Sequence, residues 1–121
     1  MRLTQVPFFL LFLALGSIAS AMHHRQVIAV VEAVSMDFGN IETNVGNKAL
    51  ESLGLTHGDS FTVQFGERQF KATLGETYSD VPQGDWIAFI TETGKLQIAR
   101  NYENAAVTLG VKTGDSITLF N

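Results

Sequence analysis

Alternating apolar and polar residues along the chain predict a succession of short β-strands. The longest is Gln26–Val34, which is rich in Val, Ile and Ala, and Arg68–Leu74 alternates so that its apolar side chains share one side. Two compact apolar runs, Trp86–Ile90 and Leu96–Ala99, predict two more strands. The intervening segment Thr77–Gly84 carries a proline and a glycine and is predicted to be a loop.

An internal repeat organises the rest of the chain. Leu53–Val63 and Leu109–Leu119 share Leu, Gly, Gly, Asp, Ser and Thr at equivalent positions. In each copy a short helix, Asn47–Leu53 or Glu103–Leu109, is predicted to end at a left-handed glycine, after which a Gly-Asp turn leads into a strand. About seven strands and two short helices in residues 22–121 predict a mainly β fold, a small closed or nearly closed antiparallel β-barrel.

The first copy of the repeat contains His57, Asp59 and Ser60, residue types that also build hydrolytic sites. A catalytic triad needs a base and a nucleophile that converge from separate segments, whereas these three share one turn. The second copy keeps Asp115 and the serine but has Thr113 where His57 stands. We therefore interpret Asp59 and Asp115 as turn-forming residues whose carboxylates accept backbone N–H groups, and we assign no catalytic residue.

The first 21 residues have the pattern of an export signal. A basic residue, Arg2, precedes the apolar run Val6–Leu15, and Ala19-Ser20-Ala21 has the small-x-small pattern read by a signal peptidase. Cleavage after Ala21 would leave residues 22–121 as one β-barrel domain outside the cytoplasm, secreted or periplasmic. The alternative is an uncleaved anchor over residues 6–22, although a bilayer span takes about 20 residues.

Composition narrows the function classes. Eight Lys and Arg residues against twelve Asp and Glu residues give a net charge of −4 with no basic run, which argues against a nucleic-acid surface. The chain has no cysteine, which excludes a disulfide, a thiolate metal site, a cysteine nucleophile and a lipoprotein anchor. We expect no obligatory cofactor, and no membrane contact once the signal is removed.

The amino terminus that cleavage would create is a candidate metal site. Met22-His23-His24 places an imidazole at the third position. A free α-amine, two deprotonated backbone amides and the His24 ring can form a square-planar nitrogen site for Cu(II) or Ni(II), to which His23 adds a second imidazole. The alternative is a polar, unstructured start of the mature chain.

Four segments resemble one protein family, in the same order along the chain. Asp37–Asn44 resembles the Phe-Gly-Asn-x-x-Thr-Asn signature of the S-adenosylmethionine-using hydroxide adenosyltransferase, fluorinase and chlorinase family. Thr77–Gly84, Thr93–Ala99 and Arg100–Ala106 follow, and the similarity runs from about residue 27 to residue 120. It covers the family's carboxy-terminal domain, a small antiparallel β-barrel, and not the larger amino-terminal domain that carries the catalytic residues.

The resemblance implies an adenine-nucleoside site. In the family, the Phe-Gly-Asn loop lies against adenine, which assigns ring contact to Phe38 and amide hydrogen bonding to Asn40. An amide offers both the donor and the acceptor that an adenine edge can use. A later Arg/Asn loop lines the adenine pocket, and a segment before Gly94 holds the methionine carboxylate. The implied ligand is adenosine or S-adenosylmethionine, and the implied ligand-binding residues are Phe38, Asn40, Thr93, Arg100, Asn101 and Tyr102.

Structural alternatives accompany these assignments. Phe38 is a core aromatic in the alternative interpretation, Asn40 a turn residue and Arg100 a solvated charge. Three functions therefore stay open: an exported, non-catalytic module that binds an adenine nucleoside; one subunit of a split enzyme that hydrolyses S-adenosylmethionine to adenosine and methionine with a separately encoded amino-terminal partner; and a structural or interaction protein that has lost the ligand. We expect a monomer or a weak dimer, although the sequence does not fix the oligomeric state.

Overall fold

A computed structural model describes residues 25–121, which form a β-barrel with two helices. The proposed signal, residues 1–21, and His23 and His24 lie outside the described residues. The strands are β1 (Gln26–Val34), β2 (Ile41–Thr43), β3 (Ser60–Phe65), β4 (Arg68–Leu74), β5 (Trp86–Ile90), β6 (Leu96–Arg100) and β7 (Ser116–Phe120); the helices are α1 (Asn47–Leu53) and α2 (Ala105–Leu109), and one 3₁₀ turn spans Tyr78–Asp80. This confirms the predicted fold class.

The barrel closes in the strand order β1-β2-β6-β5-β4-β3-β7, and β7 pairs with β1. All neighbouring pairs are antiparallel except β4 and β5, which run parallel with Ala72 opposite Trp86. This pair departs from the fully antiparallel barrel that the sequence predicts. The cause is the segment from residue 75 to residue 85, here named the crossover loop, because a parallel neighbour requires a connection that returns to the starting end of the strand.

Three local features also differ from the sequence-based expectation. Strand β2 is three residues long, too short for alternation to reveal it, and it lies inside the segment that resembles the family signature. Helix α2 begins at Ala105, two residues later than predicted, because Asn104 serves as its N-cap. The predicted loop Thr77–Gly84 contains the 3₁₀ turn.

The internal repeat appears as a local twofold relation between β3 and β7. Thr62 lies opposite Phe120, and Gln64 lies opposite Thr118. Leu53 corresponds to Leu109, so equivalent residues of the two copies are 56 positions apart. Thr62 is therefore equivalent to Thr118 and Gln64 to Phe120, and replacing each residue by its equivalent turns one of these pairs into the other. The two copies of the sequence thus pair with each other as neighbouring strands.

Both copies build the predicted turn. Gly54 and Gly110 end the two helices with φ values of 70° and 74°, in the left-handed region that favours glycine. The carboxylates of Asp59 and Asp115 each accept a hydrogen bond from the backbone N–H three residues earlier, at 2.8 and 2.9 Å. The interpretation of these aspartates as turn formers is confirmed.

The barrel interior holds one apolar core, and a smaller cluster lies outside it. Inward side chains such as Phe61, Ile98 and Leu119 are almost fully buried, each stabilising the fold by about 1.5–3 kcal/mol. Outside the barrel, Val81 of the crossover loop packs on Ile87 and Ala99, with Tyr78 and Phe89 beside them. This second cluster fixes the crossover loop against β5 and β6. Within residues 25–121, no helix is long and apolar enough to cross a membrane.

Candidate functional site

An open groove of about 640 Å³ lies at the end of the barrel where the β1–β2 loop, the crossover loop and the β6–α2 loop meet. Five of the six implied ligand-binding residues line it. Its full lining is Asp37, Phe38, Asn40, Thr77, Tyr78, Ser79, Arg100, Asn101, Tyr102, Glu103 and Asn104.

The loop that carries Phe38 and Asn40 is fixed by backbone hydrogen bonds. Ser35 donates its N–H to the Asn40 carbonyl at 3.0 Å, and its side-chain oxygen accepts the Asn40 N–H at 2.9 Å. Gly39 has a φ of 68°, and a Cβ at this position would overlap the side-chain amide of Asn104. The Gly39 carbonyl in turn accepts the N–H of Ala106 at 2.9 Å. The loop is therefore docked on the first turn of α2, and glycine is required for this approach.

Asn40 is buried and held by a side chain from the crossover loop. Its Nδ2 donates a hydrogen bond to the Tyr78 hydroxyl, and the Tyr78 ring meets Phe89 edge-on with centroids 5.6 Å apart. Among residues 25–121, no side chain or backbone group bonds to Oδ1 of Asn40. The amide therefore presents an acceptor to the groove while Tyr78 fixes its plane.

Asn101 joins the end of β6 to the crossover loop. Its buried Nδ2 donates to the Val81 carbonyl at 2.9 Å. Its backbone N–H donates to the backbone carbonyl of Asp85 at 2.9 Å, and its own carbonyl accepts the Gly84 N–H at 2.7 Å. These bonds make Asn101 a structural part of the groove wall as well as a lining residue.

Arg100 is neither a solvated charge nor a side chain that reaches across the groove. Its Nε and Nη2 donate to the Gly84 carbonyl at 2.9 and 2.7 Å, and its Nη1 donates to the Thr108 hydroxyl at 3.2 Å. The guanidinium carbon lies 5.3 Å from the centre of the Trp86 ring, within the range of a cation–π contact. Arg100 thus ties the crossover loop to α2, and the outward charges of the groove are the carboxylates of Asp37 and Glu103.

Two aromatic rings of the groove are exposed to solvent. Phe38 is 67% exposed, so it is not a core aromatic, and Tyr102 is 81% exposed. Tyr102 has a φ of 64° and is the sole non-glycine residue with positive φ between residues 25 and 121. Such a conformation costs free energy of order 1–3 kcal/mol and is concentrated at functional sites. The backbone therefore presents this ring outward at a cost in stability.

Thr93 lies away from the other implied ligand residues. It is in the turn between β5 and β6, where its hydroxyl is 2.9 Å from that of Thr91. Arg100 is at the far end of β6, and the four residue-to-residue steps from Leu96 to Arg100 span about 13 Å at the rise of a β-strand. Thr93 is not among the groove residues, and its role toward a methionine carboxylate stays a prediction.

Asp80 stabilises the crossover loop that carries Tyr78. Its Oδ2 accepts the N–H groups of Glu76 at 2.8 Å and Thr77 at 3.2 Å. These backbone hydrogen bonds, the one from Glu76 first, lower the pKa of the Asp80 carboxyl below its usual value, and His57, 3.8 Å away, acts in the same direction.

In the part of the chain that the structure describes, no three His, Asp or Glu side chains are grouped so as to hold a metal ion.

Sequence reasoning assigned no site role to Tyr78 or Asn104. Asn104 caps α2 by accepting the Val107 N–H at 2.8 Å, and it also supports Gly39. The sequence signal for Asn104 was an asparagine just before an apolar helix, a common N-cap pattern. Tyr78 lies 38 residues from Asn40, and its contact follows from the closed barrel.

The sequence profile of the family described as "SAM hydroxide adenosyltransferase C-terminal domain" matches residues 32–118, a range that includes the whole groove. The chain belongs to this family. The resemblance seen in the sequence is thereby confirmed.

Relatives and solved structures agree with this membership. The chain is similar to the fluorinase of Actinopolyspora mzabensis, with 31% identity over 90 residues, 73% of this chain and 30% of the fluorinase. It is 29% identical over 95 residues to the fluorinase of Nocardia brasiliensis, covering 77% of this chain and 32% of that enzyme. A crystal structure of an uncharacterised conserved protein from Thermotoga maritima superposes with a TM-score of 0.75 and 32% identity, over 79% of this chain and 36% of that protein. A conserved hypothetical protein from Thermus thermophilus gives a TM-score of 0.54 at 27% identity, over 76% and 34%. The chain spans about a third of the length of these relatives.

Proposed function

We propose that this chain is a module that binds an adenine nucleoside, adenosine or the adenosyl part of S-adenosylmethionine, and that it catalyses no reaction alone. One observation carries the proposal: the exposed rings of Phe38 and Tyr102 line the same groove as the buried amides of Asn40 and Asn101. A purine can stack on exposed aromatic rings, and a buried amide can read its hydrogen-bonding edge. Membership of the family supports the same ligand class.

The groove is open, and this sets the expected affinity. Small-molecule sites usually bury 70–90% or more of a drug-sized ligand. A groove that covers one side of a nucleoside buries less, so we expect a dissociation constant on the order of 0.1–1 mM for adenosine. Binding in this range calls for titrations at high ligand concentration.

A second candidate is a subunit of a split enzyme that hydrolyses S-adenosylmethionine to adenosine and methionine. The supporting observation is a set of exposed apolar side chains, here named the groove rim: Phe38 and Tyr102 line the groove, and Met36 and Val107 belong to the adjoining segments outside its lining. A separately encoded partner that covers this rim would bury these side chains and complete the site. The third possibility, an interaction protein without a ligand, predicts no nucleoside binding.

Calorimetric titration with adenosine tests the first proposal. We expect Asn40→Ala to weaken binding by about 1–3 kcal/mol, because the adenine edge loses its hydrogen-bonding partner. Because Asn40 is buried, its replacement can also lower stability, so Tyr78→Phe serves as a second variant. It keeps the Asn40 amide but removes the hydroxyl that orients it, and it should also weaken adenosine binding. Phe38→Ala should weaken binding with little loss of stability, because the ring is exposed. Val107→Ala, exposed but outside the groove lining, is the matched control. Equal adenosine affinity in wild type and Asn40→Ala would contradict the proposal.

Catalysis is tested separately. We expect residues 22–121 alone to release no adenosine from S-adenosylmethionine, because residues 32–118 match the family's carboxy-terminal domain, whereas the resemblance implies that the catalytic residues belong to the amino-terminal domain. Adenosine above the no-protein control, abolished by Asn40→Ala, would show that the chain is an enzyme. Adenosine release only after addition of a neighbouring gene product would support the split enzyme.

We also propose export to a secreted or periplasmic location with cleavage after Ala21. Intact mass of the protein from its native host tests this, since the mature chain should begin at Met22. A chain that begins there should bind one equivalent of Cu(II) through its amino terminus and His24, with His23 as a further imidazole, and an extra residue before Met22 should weaken binding sharply. A different mature start excludes this metal site.

A further inference from the structure

Four consecutive strands of the barrel present an outer face with almost no charge. Outward side chains alternate with buried ones along Gln26–Val30 of β1, 116–120 of β7, 60–64 of β3 and 69–73 of β4. We name these outward side chains the neutral face. They are Ser, Thr, Gln, Ile, Val and Phe, with Lys71 the single charged residue.

The neutral face has an apolar ridge and a hollow side by side. The ridge is Ile28, which is 61% exposed, and Val30 on β1. The hollow, of about 310 Å³, is lined by Thr62, Gln69, Lys71, Phe120 and Asn121. Because β7 lies between β1 and β3, the ridge is one strand spacing from Phe120 and two to three spacings, about 10–14 Å, from the side chains of β3 and β4 in the hollow.

Charge indicates which partner can approach this face. The chain carries a net charge of −4, and its twelve acidic residues all lie off the neutral face. Two copies that met through most other surfaces would therefore bring carboxylates together. Glu32, the next outward residue of β1, is already paired with Lys95 Nζ at 3.1 Å. A second copy can thus approach the neutral face without like-charge repulsion.

We propose that the neutral face is a surface for self-association, in which the ridge of each copy enters the hollow of the other about a twofold axis. A twofold interface uses the same patch on both copies, so ridge and hollow must lie on one face, as they do here. The inference concerns a surface separate from the groove and does not depend on nucleoside binding.

The size of the face sets the strength of the association. Four strands about 4.8 Å apart and five residues long cover roughly 300 Å² on each copy. Stable complexes bury about 800 Å² per partner. The dimer should therefore be weak, with a dissociation constant on the order of 0.1–1 mM.

Sedimentation equilibrium on residues 22–121, which hold the whole barrel and its core, tests the proposal. Ile28→Lys should raise the dissociation constant at least about tenfold, because it replaces the apolar ridge with an ammonium group next to Lys71 in the hollow of the other copy. Met36→Lys, at a 97% exposed apolar residue of the β1–β2 loop, adds the same charge outside the neutral face and should leave it unchanged. Ile28→Thr removes the apolar ridge without adding a charge and with a residue type that already occupies the face, and it should also raise the dissociation constant. Circular dichroism confirms that each variant folds.

Concentration-dependent amide chemical shifts give an independent readout. Between about 0.05 and 1 mM protein, shifts should concentrate in β1, β7, β3 and β4. No association up to about 1 mM would overturn the proposal. It would also be overturned by shifts centred on Phe38 and Tyr102, or by loss of association in Met36→Lys alone, since both outcomes identify the groove rim as the contact.

Discussion

The turns of the two repeat copies use the same bonds but pack against different strands. Leu74, at the end of β4, exchanges two backbone hydrogen bonds of 2.7 and 2.8 Å with the first Gly-Asp turn. Val31, inside β1, exchanges two of 2.8 Å with the second. Since β3 and β7 are antiparallel neighbours, the two turns lie at opposite ends of the barrel.

The two copies differ at the start of their helices. Helix α1 follows Gly46 and has no side-chain cap, whereas α2 is capped by Asn104, which also supports the Gly39 loop and lines the groove. The repeat therefore supplies equivalent scaffolding twice, and the two copies diverge where their helices begin, at Gly46 and at Asn104. Variants at matched positions test this distinction.

Gly39→Ala should cause the largest loss of stability, about 3 kcal/mol. The new Cβ would meet the Asn104 amide while the backbone is held at a φ of 68°. Gly110→Ala has a similar φ but open space around it and should cost about 1 kcal/mol. Urea unfolding of both variants measures the difference, and equal losses would show that the Gly39 loop is not docked on α2.

Asn104→Ala should cost about 1.5 kcal/mol, because α2 loses its cap and the Gly39 loop loses support. It should also weaken adenosine binding if the groove holds that ligand. Asn104→Asp should restore most of the stability, since a carboxylate can accept the same N–H. Asn47→Ala at the start of α1 is the control, with an expected change below about 0.5 kcal/mol. A similar loss from both alanine variants would remove the distinction between the helices.

The sequence predicted well those features that depend on neighbouring residues. The Gly-Asp turns, the left-handed glycines and six strands follow from spacing and alternation within a few residues. Strand β2 and the parallel β4–β5 pair depend on closure of the barrel, which no local pattern contains.

In the candidate site, too, some features could be predicted from the sequence and others depend on contacts between distant segments. The resemblance assigned Phe38, Asn40 and Tyr102 to one ligand site, and in the structure these three residues line one groove. It could not place Tyr78 against Asn40, nor show that the Arg100 guanidinium is occupied by Gly84 and Thr108. Those contacts join segments far apart in the chain and require the three-dimensional structure.

Asp59→Ala and Asp115→Ala should each cost about 1 kcal/mol, because each removes the carboxylate that accepts a backbone N–H of its turn. Asp59→Ala should cost slightly more, since the Asp59 carboxylate also accepts the Thr56 hydroxyl at 3.1 Å. The turns share no partner and lie at opposite barrel ends, so the double variant should lose the sum of the two. Urea unfolding of the single and double variants is the measurement. A clear departure from additivity would show that the two copies are coupled through the β3–β7 pair.

The smallest effect concerns acid stability near the first copy, where His57 approaches the crossover loop. Hydrogen bonds from the Glu76 and Thr77 N–H groups lower the pKa of Asp80 in the folded chain. Its contribution to stability is therefore present above the ordinary carboxyl pKa of about 3.9 and is lost as the pH falls through the lowered folded value. Asp80→Asn should be less stable than wild type at neutral pH, and the difference should shrink under acid conditions, where the wild-type carboxyl is protonated. Urea midpoints for both proteins across this range give the comparison. A difference that does not vary with pH would show that the Asp80 charge does not stabilise the crossover loop.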